Sequence, residues 1–170
     1  SGIVELDDDT PIGKDIKEVL DIEDVIIEID NKSLTNRPDL WGHYGIAREI
    51  AAILEKEVKT PDLSYTESDV TIDGFKVTVD CPELCPRYSA HYVTDVKIAE
   101  SPAWMKRRLA LVGIGSISNV VDITNYILIT YGTPLHAFDF DKVNSNEIIV
   151  RNAKENEKVV TLDEIERVLS

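Results

Sequence analysis

Residues 101–139 read SPAWMKRRLALVGIGSISNVVDITNYILITYGTPLHAFD. Two helix patterns lie in this stretch, separated by a tight junction and followed by a compact exit. Ser101 is a good N-cap residue and Pro102 suits a first helical position. Met105, Leu109 and Val112 then recur at helical spacing, and Gly113 follows as the residue that would take the left-handed conformation past the end. The second pattern opposes its own propensities. Residues 117–131 are rich in Ile, Val and Thr, which favour strand. The period argues otherwise: Ile117, Val120, Val121, Thr124, Leu128 and Tyr131 share one helical face, and Ser118, Asp122 and Asn125 share another. A strand would put Asp122 beside Val120 and Thr124. The spacing therefore predicts a helix over about 117–131, stopped by Gly132 and Pro134, with His136 delivered just beyond it.

Outward from that stretch the chain turns to mixed structure. VIIEID (25–30) suits a strand, and IKEVLDI before it a short amphipathic piece. NRPD (36–39) reads as a loop with Asp39 capping a helix over about 40–56, whose stripe is Ala47, Ile50, Ala51 and Leu54. Gly42 and Gly45 are poor helix formers, so their use is close packing against a neighbour. His43 has no acid partner at helical spacing and reads as a surface or packing histidine. Residues 57–74 are polar and turn-rich, which places a boundary there. Strands are expected at FKVTVD (75–80), CPRYSAHYVTDVKI (85–98), EIIVRNA (147–153) and KVVTLD (158–163), with EIERVLS beginning another.

Composition narrows the function classes. The chain has 170 residues, 43% of them apolar, and a net charge of −14. That balance argues against nucleic acid held by charge alone. The charge is uneven, however. Residues 1–30 carry eleven Asp or Glu against Lys14 and Lys17, while residues 101–138 carry Lys106, Arg107 and Arg108 against Asp122 alone. The basic triplet reads either as an RNA phosphate contact or as a solvated helix face. Asp7, Asp8 and Asp9 read as a solvated loop ahead of a cation site. Cys81 and Cys85 lack a nearby His pair, so no zinc site and no metal is expected. They read as ordinary thiols in a reducing cytoplasm. No apolar run approaches the roughly 20 residues that cross a bilayer. Met105 is the one methionine, so the chain is expected to be a processed or excised piece of a longer protein.

NVVDITNY (119–126) followed by PLHAFD (134–139) resembles the editing domain in the β-subunit of bacterial phenylalanyl-tRNA synthetases, in both blocks, their order and their spacing. NRPDLWGHYGIAREIAA (36–52) and CPRYSA (85–90) resemble the same subunit, in family order. The resemblance implies an α+β fold: a small strand and helix region, then a mixed sheet or barrel-like editing domain with two consecutive helices. It implies three divisions: a partial structural region over 1–63, a linker over 64–74, and the first part of the editing domain over 75–170. It implies hydrolysis of mischarged tyrosyl-tRNA, because a pocket built for a phenyl ring rejects an added hydroxyl by only about a hundredfold.

Carried over by motif position, His136 would place water or the terminal ribose, with Asn125, Pro134 and Leu135 on the pocket wall and Asp122 and Thr124 supporting them. The implied partners are the acceptor end of tRNA-Phe and the synthetase α-subunit. No cofactor is expected in this chain itself; ATP and Mg2+ belong to the parent enzyme. Two departures from the family pattern stand out: Gly115 replaces an arginine that borders the pocket, and Thr133 replaces a glutamine. The acidic residue that reads the tyrosine hydroxyl lies in the family's downstream half. A scaffold of the same subunit with decayed editing, and an unrelated binding module, remain as alternatives.

Overall fold

The computed structural model describes Leu6, residues 8–69 and residues 72–169, so Asp7 of the acidic triplet lies outside the described residues. Its elements are α1 (Ile16–Leu20), α2 (His43–Ile53), β1 (Lys76–Val79), α3 (Ala103–Leu111), α4 (Asn119–Tyr131), β2 (Glu147–Val150), β3 (Lys158–Val160) and β4 (Glu166–Val168). This is an α+β chain. Among the described residues the strands form two separate two-stranded ladders and no closed barrel.

Contacts divide the chain into two units. One holds the residues up to Thr60 together with Ile98–Ala137; the other holds Pro61–Lys97 and the residues from Phe138 onward. In the first, α2 and α3 both pack on α4. The glycine expectations are met there. A Cβ on Gly42 would lie 2.4 Å from the Gly132 nitrogen, and one on Gly45 would lie 1.5 Å from the Asp39 carbonyl oxygen. The His43 ring is exposed and donates from Nδ1 to the Ile129 carbonyl at 2.9 Å. Tyr44 meets Tyr131 edge to face at 5.8 Å. The core of this unit contains Leu40, Ala51, Met105 and Leu109, with Leu109 1% exposed.

The helix stops follow backbone chemistry. Gly113 sits at φ +81°, and the Gly113 and Ile114 amides donate to the carbonyls of Ala110 and Leu109 at 3.0 and 2.9 Å. These two bonds satisfy carbonyls that the last turn of α3 leaves open. Gly132 ends α4 at φ +73°, its amide donating to Leu128 at 2.7 Å.

The second unit is built on strands. β1 and β2 run parallel, in register from Lys76 opposite Glu147 to Val79 opposite Val150. β3 and β4 are antiparallel. Phe140 receives Phe75 at 5.8 Å and Tyr92 at 4.9 Å, both edge to face.

Four local expectations are corrected. Residues 25–30 form no strand, and Val25, Ile26 and Ile27 are 81%, 69% and 72% exposed. Residues 85–98 form no strand either. Both have β-branched composition, but strand preference is realised only against a hydrogen-bonded neighbour, and neither finds one among the described residues. Ser101 is not the cap of α3: the helix begins after Pro102, and the Ser101 hydroxyl goes to Asp122 instead. Asp39 does not cap α2, whose N-cap is Gly42. Its carboxylate takes a two-pronged pair from Arg37 at 2.9 and 2.8 Å.

Candidate functional site

The first half of the NVVDITNY block is a clasp. The backbone amide of Asn119 donates to the Ala99 carbonyl at 2.8 Å, and the Asn119 side-chain oxygen accepts from the Ala99 amide at 3.2 Å and the Val120 amide at 2.9 Å. Three positions on, Asp122 is buried with no exposed surface. It accepts from the hydroxyls of Ser101 and Ser116 and from the Ile117 amide at 2.9 Å. Those donors, the Ser101 hydroxyl first, hold its carboxyl below the usual aspartate range although burial pushes the other way. The entry of α3 and the entry of α4 are thus tied together by two side chains of one block.

The second half of the block behaves differently. Thr124 is half-buried and its hydroxyl donates to the Val121 carbonyl at 2.7 Å, within its own helix. Asn125, one residue later, is half-buried and its amide has no hydrogen-bond partner among the described residues. Tyr126 accepts from Arg108 of α3 at 3.2 Å and meets Trp104 edge to face at 5.3 Å. Beyond Gly132 the backbone leaves helix, and Thr133, Pro134, Leu135 and His136 are exposed on coil. Asn125 and His136 belong to the same unit. Gly115 lies on the 112–118 junction, and a Cβ built there meets nothing within 4 Å.

The same unit contains an open groove of about 670 Å3, with Leu40, Ile46 and Ile129 on its apolar side and His43, Arg107 and Arg108 among its polar groups. None of Asn125, Pro134, Leu135 or His136 lines it. Among the described residues no three His, Cys, Asp or Glu side chains gather as a metal site, and no helix is long and apolar enough to cross a membrane.

Sequence reasoning passed over the grouping of Trp104, Arg108 and Tyr126. Trp104 and Arg108 are four positions apart, which was a legible i, i+4 signal. That Tyr126 joins them depends on how the second helix packs on the first.

The chain matches other proteins along its whole length. It is 48% identical over 170 residues to the phenylalanine–tRNA ligase beta subunit of Anaeromyxobacter dehalogenans, covering 99% of this chain and 21% of that protein. It is 49% identical over 170 residues to the subunit of the same name from Bacillus cereus, and 43% identical over 169 residues to that of Fusobacterium nucleatum, with the same coverage of each. The chain thus spans 21% of the length of these relatives. With residues 84–170 matched to the model of the B3/4 domain, the chain belongs to the B3/4 domain family.

Proposed function

We propose that this chain is part of a phenylalanine–tRNA ligase β-subunit and contributes to hydrolytic editing of tyrosyl-tRNA-Phe. The single observation that carries the reading is Asn125. Its neighbours Asn119, Asp122 and Tyr126 are engaged in holding the α3 region to α4, and Thr124 bonds back to its own helix. The Asn125 amide has no such engagement among the described residues, yet it is half-buried. No buried side-chain N or O atom among the described residues lacks a partner, so solvent reaches the Asn125 amide and a ligand could take the place of that water.

In the proposed reaction, water attacks the ester carbonyl that joins tyrosine to the terminal ribose. The ester bond breaks, the ribose hydroxyl takes the proton, and free tyrosine leaves. His136 hydrogen-bonds the attacking water or the ribose hydroxyl, Asn125 contacts the substrate from α4, and Pro134 and Leu135 form the adjoining wall. Asp122 and Thr124 support α4. The partners are the tRNA-Phe acceptor end and the α-subunit, and the location is the cytoplasm. ATP and Mg2+ serve aminoacylation elsewhere in the parent enzyme; this chain supplies no Gly-rich phosphate loop for them. The division at 64–74 between a structural region (1–63) and an editing region (75–170) is part of the same proposal.

The test uses the complete α/β enzyme and tyrosyl-tRNA-Phe. His136→Ala is expected to slow hydrolysis by about a hundredfold or more, the scale of a positioned acid–base or water-orienting group. This chain by itself is expected to hydrolyse the ester poorly. A second reading, a scaffold whose editing has decayed, is favoured by Gly115, and it requires the His136→Ala rate to match wild type. The open space around Gly115 makes the discriminating variant feasible: Gly115→Arg is expected to raise hydrolysis if the site is otherwise competent.

A further inference from the structure

We infer that Arg108, stacked on Trp104 and bonded to Tyr126, is a phosphate contact for tRNA on the outer face of α3. This rests on the reading that tRNA is the ligand and adds where the chain touches it.

The three cations of α3 are not equivalent. Lys106 is paired with Glu100 at 2.9 Å. Arg107 is paired with the Asp21 carboxylate and also donates to the Asp21 carbonyl. Among the described residues Arg108 has no carboxylate within ion-pair distance; its hydrogen bond runs to the neutral Tyr126 hydroxyl at 3.2 Å. Its guanidinium carbon lies 5.9 Å from the centre of the Trp104 ring, over that ring. Stacking on an aromatic face holds the guanidinium plane while leaving its in-plane N–H donors directed outward. Tyr126 accepts the Arg108 bond, so its own O–H remains available to donate. The result is a fixed fork of donors beside an aromatic residue that is 47% exposed.

A planar fork next to a π-face suits a nucleotide better than a protein carboxylate. The fork takes a phosphate in two-pronged fashion, and the exposed indole takes the neighbouring base by stacking. Outside α3 the groove beside Arg108 also carries Asp24, whose carboxylate accepts from the Val25 amide rather than pairing with Arg108. Within residues 101–138 the one acid is Asp122, which is buried and already bonded to three donors, so no exposed carboxylate of that stretch competes. On a chain of net charge −14, a local positive site is needed if an RNA backbone is to approach at all.

The experiment measures tRNA-Phe binding by the complete α/β enzyme across a range of salt. Loss of one phosphate contact lowers the slope of log affinity against log salt by about 0.7–0.9. Arg108→Gln is expected to produce that change, whereas Lys106→Gln and Arg107→Gln, whose cations are already paired, leave the slope as in wild type. Trp104→Leu is expected to weaken binding at every salt concentration with the slope unchanged. An unchanged slope in a folded Arg108→Gln enzyme overturns the inference while leaving the editing proposal standing. A wild-type enzyme that shows no tRNA binding fails both. Should Arg108→Gln not fold, phenylglyoxal labelling of the wild-type enzyme decides the matter: tRNA is expected to protect Arg108, and equal labelling with and without tRNA overturns the inference.

Discussion

The Ser101 hydroxyl donates to the Asp122 carboxylate across 21 positions of sequence, and this bond ties the start of α3 to the first turn of α4. Ser116 and the Ile117 amide bind the same carboxylate from the junction between the helices. Asp122 therefore fixes a loop and two helix entries at once, and α4 needs no side chain at its N-cap, where Ser118 makes no capping bond.

Removing the acceptor should loosen all three attachments together. Asp122→Ala is expected to lower the melting temperature by several degrees, because it leaves the buried Ser101 hydroxyl without its acceptor and frees the Ser116 and Ile117 attachments. Asp122→Asn should be milder, since an amide oxygen can still accept from Ile117. Ser101→Ala removes one donor of three and should be milder again. Melting curves of the four proteins check this ranking, and additive single and double variants would show that the sites do not share one network.

Among the described residues Leu109 is the most deeply buried apolar side chain, 1% exposed on the inner face of α3. Leu109→Ala is expected to cost about 2–5 kcal/mol, the sum of lost transfer energy and the cavity left behind. Denaturant unfolding measures it. Trp104→Leu, on the exposed side of the same helix, should cost far less and serves as the control.

The elements that were legible in the sequence are those set by local chemistry. The period of 117–131 overcame its strand-favouring composition because a helix satisfies its own backbone within the segment. Gly113 and Gly132 marked the stops because a left-handed residue at a helix end suits glycine. The close-packing role of Gly45 was legible for a related reason, since glycine inside a helix is costly unless something needs the space, whereas Gly42 lies one residue before α2 as its N-cap. What failed was non-local. The β1 partner is β2, with Thr78 donating to Glu147 69 positions away, and no pattern inside 75–80 names it. Residues 25–30 and 85–98 looked equally strand-like and pair with nothing among the described residues. In the site, the composition of the Asp122 stripe was legible, but the convergence of Ser101 and Ser116 upon it depends on tertiary packing.

Gly45 offers a sharp steric test. A Cβ there would lie 1.5 Å from the Asp39 carbonyl oxygen and 2.6 Å from its carbon. Both contacts are backbone, so no side-chain rotation relieves them. The turn carrying Asp39 is also held to α2 by Arg37, which pairs with Asp39 at 2.8 Å and Glu49 at 3.1 Å. Gly45→Ala is expected to cost about 1–3 kcal/mol or more, as overpacking does in tight sites. Thermal unfolding measures it, and Gly115→Ala, with open space around it, should cost little by comparison.

Acid should weaken the turn that precedes β3. Glu157 pairs through both oxygens with Arg151 at 2.8 and 2.7 Å and accepts from the Lys154 amide at 2.8 Å. The Arg151 guanidinium, followed by that amide, lowers its pKa to about 2. In the unfolded chain the group titrates near 4.3. Between those values the unfolded state binds the extra proton, so stability rises with pH across the window. The contribution of Glu157 is therefore fully present above about pH 4.3 and is lost as the pH falls toward 2. Glu157→Gln should lower stability at neutral pH, with the difference from wild type shrinking through that window. Denaturant unfolding of both proteins at several pH values tests it, and so does the Glu157 carboxyl titration by NMR. A midpoint near 4.3 in the folded protein would show that the Arg151 pair does not hold in solution.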